Sequence, residues 1–219
     1  MKPAAVIFDA YGTLFDIHTS VLRSQAVEAD LVALAVLWRR RQLEYTWLRS
    51  LMGRYEDFWE ITSAALRSAV RELGISADQD QLDTLMQTYV RADVFADVKP
   101  ALRALAGHHL AILSNGAPAM LKAVVHNSGL DTHFAQVISV DQEKIYKPSA
   151  RAYALGPQAL RLSAEEILFV SANFWDAAGA KAFGYRVCWC NRTGAAPEQL
   201  SAPPDFVVAE LGEISNMFR

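Results

Sequence analysis

Six short apolar runs set the frame for this chain: residues 5–8, 110–113, 137–140, 167–170, 186–189 and 206–208. They are rich in β-branched side chains and mostly continuous rather than alternating. Strands of that kind are buried on both faces, as in a parallel sheet covered by helices. Helix-period segments separate the runs. Pro100 stands where a first-turn proline belongs, with Leu102 and Leu105 on one face. Residues 117–126 follow a glycine, residues 149–160 follow a proline, and residues 176–183 end at Gly184, a good stop signal. Strand alternating with helix predicts an α/β fold: a doubly wound, mostly parallel, Rossmann-like sheet.

One connection breaks the rhythm. About 80 residues without a strand signal separate the first run from the helix at Pro100, far more than a usual βα loop. Within them Phe58, Thr62, Leu66, Val70 and Leu73 fall on one helical stripe. The expectation is therefore a helical cap subdomain over 16–93, inserted into an α/β catalytic core made of 1–15 and 94–219. Sheets of this type bind ligands outside the carboxyl ends of their strands, where such an insert would sit.

Hydrophobic residues make up 52% of the 219 and charged residues 21%, ample for a packed core. A net charge of -3 gives no reason to expect nucleic acid or an anionic membrane as partner. The longest apolar stretch, 31–38, is too short to span a bilayer. Met1 to Ala5 lead straight into a strand-like run, so no signal peptide is expected. Cys188 and Cys190 lie two apart, not in a CxxC, and read as buried free thiols of a cytoplasmic protein. Arg39, Arg40 and Arg41 form the one dense basic run, which on a helix reads first as a partly solvated face.

Four segments carry chemistry. Asp9 ends the first apolar run, and Gly12 permits a tight turn just beyond it. A carboxylate there is held beside backbone N–H groups that keep it ionised and can grip an anion. Ser114, Asn115 and Gly116 close a second run and open a helix, a natural anion site or an N-cap. Pro148 disfavours helix at Lys147, which holds that lysine on a loop at one end of the sheet. Ser171, Asn173 and Asp176 cluster where another run gives way to a helix, and capping alone explains one or two of the three.

Together, in this order, these segments resemble the haloacid dehalogenase superfamily over essentially the whole chain. The resemblance implies an α/β core with an inserted cap and an aspartate nucleophile, Asp9. Most members are magnesium-dependent phosphatases, and a phosphomonoesterase of this fold is the runner-up reading; a binding protein with a vestigial site is a third. Phosphatases of the family carry a second aspartate two residues after the nucleophile, to protonate a poor leaving group. Here that position is Tyr11, and a departing halide needs no acid. Phosphatases also carry a Gly-Asp pair for Mg²⁺, where this chain has Ala172 and Asn173. A hard divalent cation wants carboxylate oxygen. No metal or other cofactor is expected.

The segment Trp38-Arg39-Arg40-Arg41-Gln42-Leu43-Glu44-Tyr45 further resembles L-2-haloacid dehalogenases, a branch that hydrolyses (S)-2-haloacids. That match implies that Arg39 reaches from the cap over Asp9 and receives the halide together with Asn115. It implies that Leu43, Phe58 and Trp175 line an apolar pocket, and that Tyr11 packs beside the nucleophile. Ser114, Lys147 and the amides of Ala10 and Tyr11 would bind the substrate carboxylate. Asp176, with Ser171, Asn173 and Lys147 nearby, would orient the hydrolytic water, and Thr13 and Tyr153 would position neighbouring groups. The expected partners are a 2-haloacid and water, and the resemblance adds a homodimer.

Overall fold

The computed structural model describes residues 2–218. Met1 and Arg219 lie outside them, and so do the first residue of the expected lead into the sheet and the two ends of the expected core. Six strands form one sheet: β1 (Ala5–Phe8), β4 (His109–Ser114), β5 (Gln136–Ser139), β6 (Ile167–Ser171), β7 (Arg186–Cys190) and β8 (Phe206–Val208). Their order is β5-β4-β1-β6-β7-β8, and every neighbouring pair is parallel. The doubly wound parallel sheet read from the sequence is what the chain forms. β1 is central and buried along its whole length, which is why its run is continuously apolar. From β1 the order runs one way to β4 and the other way to β6, so its carboxyl end opens a crevice between them. Val140 falls just past β5, in a 3-10 turn.

Helices α5 (Val98–Ala104), α6 (Pro118–Asn127), α7 (Ala150–Leu160) and α8 (Phe174–Phe183) connect the strands. Pro100 is in the first turn of α5 as expected, whereas Pro148 lies before α7, whose N-cap is Ser149. Gly184 ends α8 at φ 120°, a conformation in which side chains are strained. Cys188 and Cys190 are free and buried on β7, and burial pushes both thiols up. Among the described residues no helix is long and apolar enough to cross a membrane.

The long connection after β1 holds four helices: α1 (Ile17–Leu22), α2 (Leu31–Leu51), α3 (Phe58–Glu72) and α4 (Gln79–Gln87). Each starts at an aspartate whose carboxylate accepts backbone N–H groups: Asp16 from Thr19, Asp30 from Val32 and Ala33, Asp57 from Trp59 and Glu60, and Asp78 from Gln81. Such a cap is worth about 1 kcal/mol, and it fixes where each helix begins. On α3 Phe58, Thr62, Leu66 and Val70 are buried as the stripe requires. Leu73 is half exposed instead, because it is the C-cap, where the helical stripe has run out. The connection is not free of strand either. β2 (Phe15–Asp16) and β3 (Asp93–Val94) pair antiparallel where the chain leaves and rejoins the sheet domain. Two-residue strands are too short to leave a periodic signal.

Candidate active site

Asp9 continues β1 by one residue, its N–H donating to the carbonyl of Val170 at 2.9 Å. The chain then folds back at once. Thr13, Leu14 and Phe15 donate to the carbonyl of Ala10, and Gly12 takes φ +89°. That positive φ is why the turn needs glycine. The turn brings the Thr13 hydroxyl to Asp9 Oδ2 at 3.1 Å. The same hydroxyl accepts the N–H of Ala172 at 2.9 Å, which ties the loop after β1 to the loop after β6.

Two further residues bond the carboxylate, with Asp176 and Tyr153 behind them. Asn173 Nδ2 donates to Asp9 Oδ2 at 2.9 Å and to the carbonyl of Tyr11 at 3.3 Å. Lys147, 1% exposed, places Nζ 3.2 Å from Asp9 Oδ1 and 3.1 Å from Asp176 Oδ2. Tyr153 donates its hydroxyl to Asp176 Oδ1 at 2.7 Å. The ammonium also sits 4.8 Å from the centre of the Phe169 ring, facing its electron-rich side. A buried cation is tolerable only when paired, and Lys147 has two carboxylates. Burial pushes the Asp176 carboxyl up to about 6, with Asp9 adding to the rise and Lys147 opposing it.

Asp9, Thr13, Lys147, Tyr153, Asn173 and Asp176 thus form one connected network. Ser171 stands behind it, its hydroxyl accepting the Asn173 N–H at 3.1 Å. Asn115 Oδ1 accepts the N–H of Lys147 at 3.0 Å. Ser114 does not cap a helix: its hydroxyl takes the Gly116 N–H at 3.1 Å, and α6 begins four residues further on. Ala10 is fully buried, with its carbonyl used by the turn.

The helical insert meets the loop after β1 at a cavity that Tyr11 and Gly12 border and Asp9 does not. Arg39 and Leu43 on α2 line a cavity of about 470 Å³ together with Tyr11, Gly12, Trp38 and Tyr89. The Tyr11 ring stacks on Phe58 at 5.9 Å and 16°, and its hydroxyl is buried without a partner. Burial, with Tyr89 adding and Arg39 opposing, pushes that phenol well above its usual range. The basic run divides. Arg39 and Arg40 both border the cavity, but Arg40 and Arg41 are paired with Glu44 and Glu72, whereas Arg39 has no such ion pair among the described residues. Trp175 packs edge-on against Trp47 at 5.5 Å and lines a separate depression beside Pro148 and Ala150. Four residues at the site drew no role from the sequence: Gln42, Tyr89, Tyr146 and Arg192. Gln42 offered a faint signal, a polar residue on the turn after Trp38 and Arg39.

Fold and motif order together define a class. Residues 3–184 match the family model for haloacid dehalogenase-like hydrolases, and the chain belongs to that family. Its relatives narrow the class. Haloacetate dehalogenase H-2 of Moraxella sp. (strain B) is 46% identical over 222 residues, covering 99% of this chain and 98% of that one. The (S)-2-haloacid dehalogenase of Pseudomonas sp. (strain YL) is 46% identical over 216 residues, covering 97% and 93%. Among solved structures, the L-2-haloacid dehalogenase of Xanthobacter autotrophicus with chloropropionic acid covalently bound superposes with a TM-score of 0.91. It is 39% identical and covers 98% of both chains.

Proposed function

We propose that this protein is an (S)-2-haloacid dehalogenase, hydrolysing short-chain (S)-2-haloalkanoic acids to (R)-2-hydroxyalkanoic acids. One observation carries the reading: the carboxylate at the mouth of the central strand is held by Thr13 and Asn173 on one oxygen and by Lys147 on the other. Asn173 turns its amide nitrogen to both Asp9 and the Tyr11 carbonyl, so a neutral N–H₂ donor stands where a hard cation would want a carboxylate. The reading is therefore metal-independent. The phosphatase alternative loses its proton donor as well, because Tyr11 is buried and its phenol is held well above its usual range.

In this reading the substrate carboxylate docks against Lys147, Ser114 and the amides of Ala10 and Tyr11. Asp9 attacks the α-carbon in line; the carbon–oxygen bond forms as the carbon–halogen bond breaks, and the halide leaves with the electron pair toward Arg39 and Asn115. Leu43 and Phe58, the latter stacked on Tyr11, keep the pocket apolar, which strips water from the attacking carboxylate, while Trp175 faces the separate depression and gives this pocket no wall. Water then adds to the Asp9 ester carbonyl, its proton taken by Asp176, which Tyr153 and Lys147 hold in place; the tetrahedral adduct collapses by breaking its acyl carbon–oxygen bond, the departing alkoxide takes that proton back and leaves as the hydroxyacid, and the Asp9 carboxylate is restored. Ser171 orients Asn173, and Thr13 steadies the Asp9 oxygen. The α-carbon is inverted once and not touched again, so net inversion follows.

The helices of 16–93 serve as the cap and 1–15 with 94–219 as the catalytic core, the β2–β3 ribbon forming the neck. The same reading places the enzyme in the cytoplasm, with no nucleic acid or membrane partner. It takes a homodimer as the working form. Val32, Val36, Leu48, Leu51 and Met52, exposed along and just past α2, support a self-contact. The decisive experiment is a single turnover of (S)-2-chloropropionate in H₂¹⁸O, followed by mass spectrometry of the protein. Label is expected in the Asp9 carboxylate. Label confined to the hydroxyacid would mean direct attack by water and would overturn the covalent route.

A further inference from the structure

Arg39 is handled unlike its neighbours. Among the described residues it forms no ion pair, although Arg40 and Arg41 both pair with glutamates one face away. Its hydrogen-bond partners are neutral: Nη1 donates to Gln42 Oε1 at 2.6 Å, and the Tyr89 hydroxyl is a second contact. Gln42 is fully buried, and all of its side-chain polar atoms are engaged. Oε1 also accepts the Tyr89 hydroxyl at 3.2 Å, and Nε2 donates to Thr62 Oγ1 at 2.6 Å. Thr62 is pinned in turn to α3 by its own hydroxyl donating to the carbonyl of Phe58, and its carbonyl accepts Trp38 Nε1 at 2.8 Å. The amide cannot flip, because Thr62 Oγ1 spends its proton on Phe58 and needs a donor from Gln42. Asp16, the carboxylate on the same cavity, is engaged in capping α1.

We propose that Gln42 is a positioning residue for departure of the halide: it fixes the Arg39 guanidinium over the pocket through a neutral acceptor and so leaves the positive charge whole. A glutamate would keep the contact to Arg39 but cancel its charge and deny Thr62 Oγ1 its donor, and an apolar side chain would keep the charge but release the guanidinium. Both properties matter, because a fixed donor aimed at developing negative charge is worth most where it need not reorganise.

This inference rests on Arg39 receiving the halide, and the test separates the two. Halide release in single turnovers is compared for (S)-2-chloropropionate and (S)-2-bromopropionate. Chloride is the more basic leaving group and depends more on outside stabilisation. Arg39→Met sets the reference by widening the bromide-to-chloride rate ratio. Gln42→Glu and Gln42→Met are each expected to slow chloride release about tenfold or more and to widen that ratio in the same direction, with KM little changed. Thr62→Val, which touches Gln42 but not Arg39, is expected to give a smaller shift of the same sign and guards against a Gln42 variant that fails to fold. A merely structural role for Gln42 would lower melting temperature and slow both substrates equally. An unchanged ratio in the Gln42 and Thr62 variants, with a widened ratio in Arg39→Met, overturns the proposal alone. An unchanged ratio in Arg39→Met overturns the halide role of Arg39, and the inference with it.

Discussion

Replacing Lys147 by Met tests the electrostatics of the site where they are strongest. Met keeps most of the apolar stem and removes the charge. The ammonium lies 3.2 Å from Asp9 and 3.1 Å from Asp176, both out of water. At an effective dielectric of about 20, one such pair is worth about 5 kcal/mol of attraction. Part of that is offset by desolvation, so breaking a buried pair costs about 3–5 kcal/mol in practice. The loss should depend on pH. The Asp176 carboxyl is already pushed up to about 6 by burial, and Lys147 is the principal group opposing that rise. Without it the carboxyl rises further. A carboxyl raised in the folded state costs stability above its folded pKa, and that cost vanishes as pH falls below the unfolded value. Urea denaturation of both proteins at pH 8 and pH 5 should therefore show a deficit of about 3–5 kcal/mol at the higher pH, shrinking to about 1–2 at the lower. An equal deficit at both would mean that Lys147 contributes by packing, and the charge reasoning would fail.

The hydrolytic half of the reaction, followed by decay of the Asp9 ester after rapid mixing, is expected to slow as pH falls through about 6, because protonated Asp176 cannot accept a proton from water. An acid limb persisting unchanged in Asp176→Asn would assign it to another group. Arg192→Met removes a guanidinium that bonds both oxygens of Asp97 at 2.9 Å and the Thr13 carbonyl at 2.9 Å, while lying 4.1 Å over the Phe95 ring. It is expected to cost about 3 kcal/mol by denaturant melts and to slow alkylation of Asp9 more than it raises KM, since Thr13 would lose its anchor.

Much of this was legible in advance because strands buried on both faces write themselves as unbroken apolar runs. Residues 5–8 and 206–208 coincide with β1 and β8, and the remaining runs differ from their strands by a residue or two. The short β2–β3 ribbon left no trace, since two residues make no period. Asp9, Lys147, Asn173 and Asp176 stood out because each interrupts a strand end or helix start with a group that capping does not require. Ser114 was harder: a hydroxyl before Asn-Gly reads as a helix start, yet it is spent on the Gly116 N–H. Gln42 and Tyr89 carried no such mark. A buried amide on an amphipathic helix looks like a lapse in the stripe, and its meaning lies in contacts with residues 20 and 47 positions away.

Two primary amides, Asn173 after β6 and Gln42 on α2, are assigned complementary work by the proposed reading. Asn173 turns its N–H₂ end to the Asp9 carboxylate, and Gln42 turns its carbonyl end to the Arg39 guanidinium. Each holds a charged group by a neutral dipole. A second cation in place of Asn173, added to Lys147, would bind the carboxylate harder and blunt it as a nucleophile toward carbon. An anion in place of Gln42 would bind the guanidinium harder and blunt it for the halide-accepting role proposed for it. Displacement at carbon needs both charges available at once, one at each end of the reacting bond, in a pocket too dry for water to neutralise them. Phosphoryl transfer asks for the reverse, a metal to gather the substrate's charge and an acid to protonate the leaving oxygen. An amide at position 173 and an unionised phenol at position 11 therefore belong together, as two consequences of moving the attack from phosphorus to carbon.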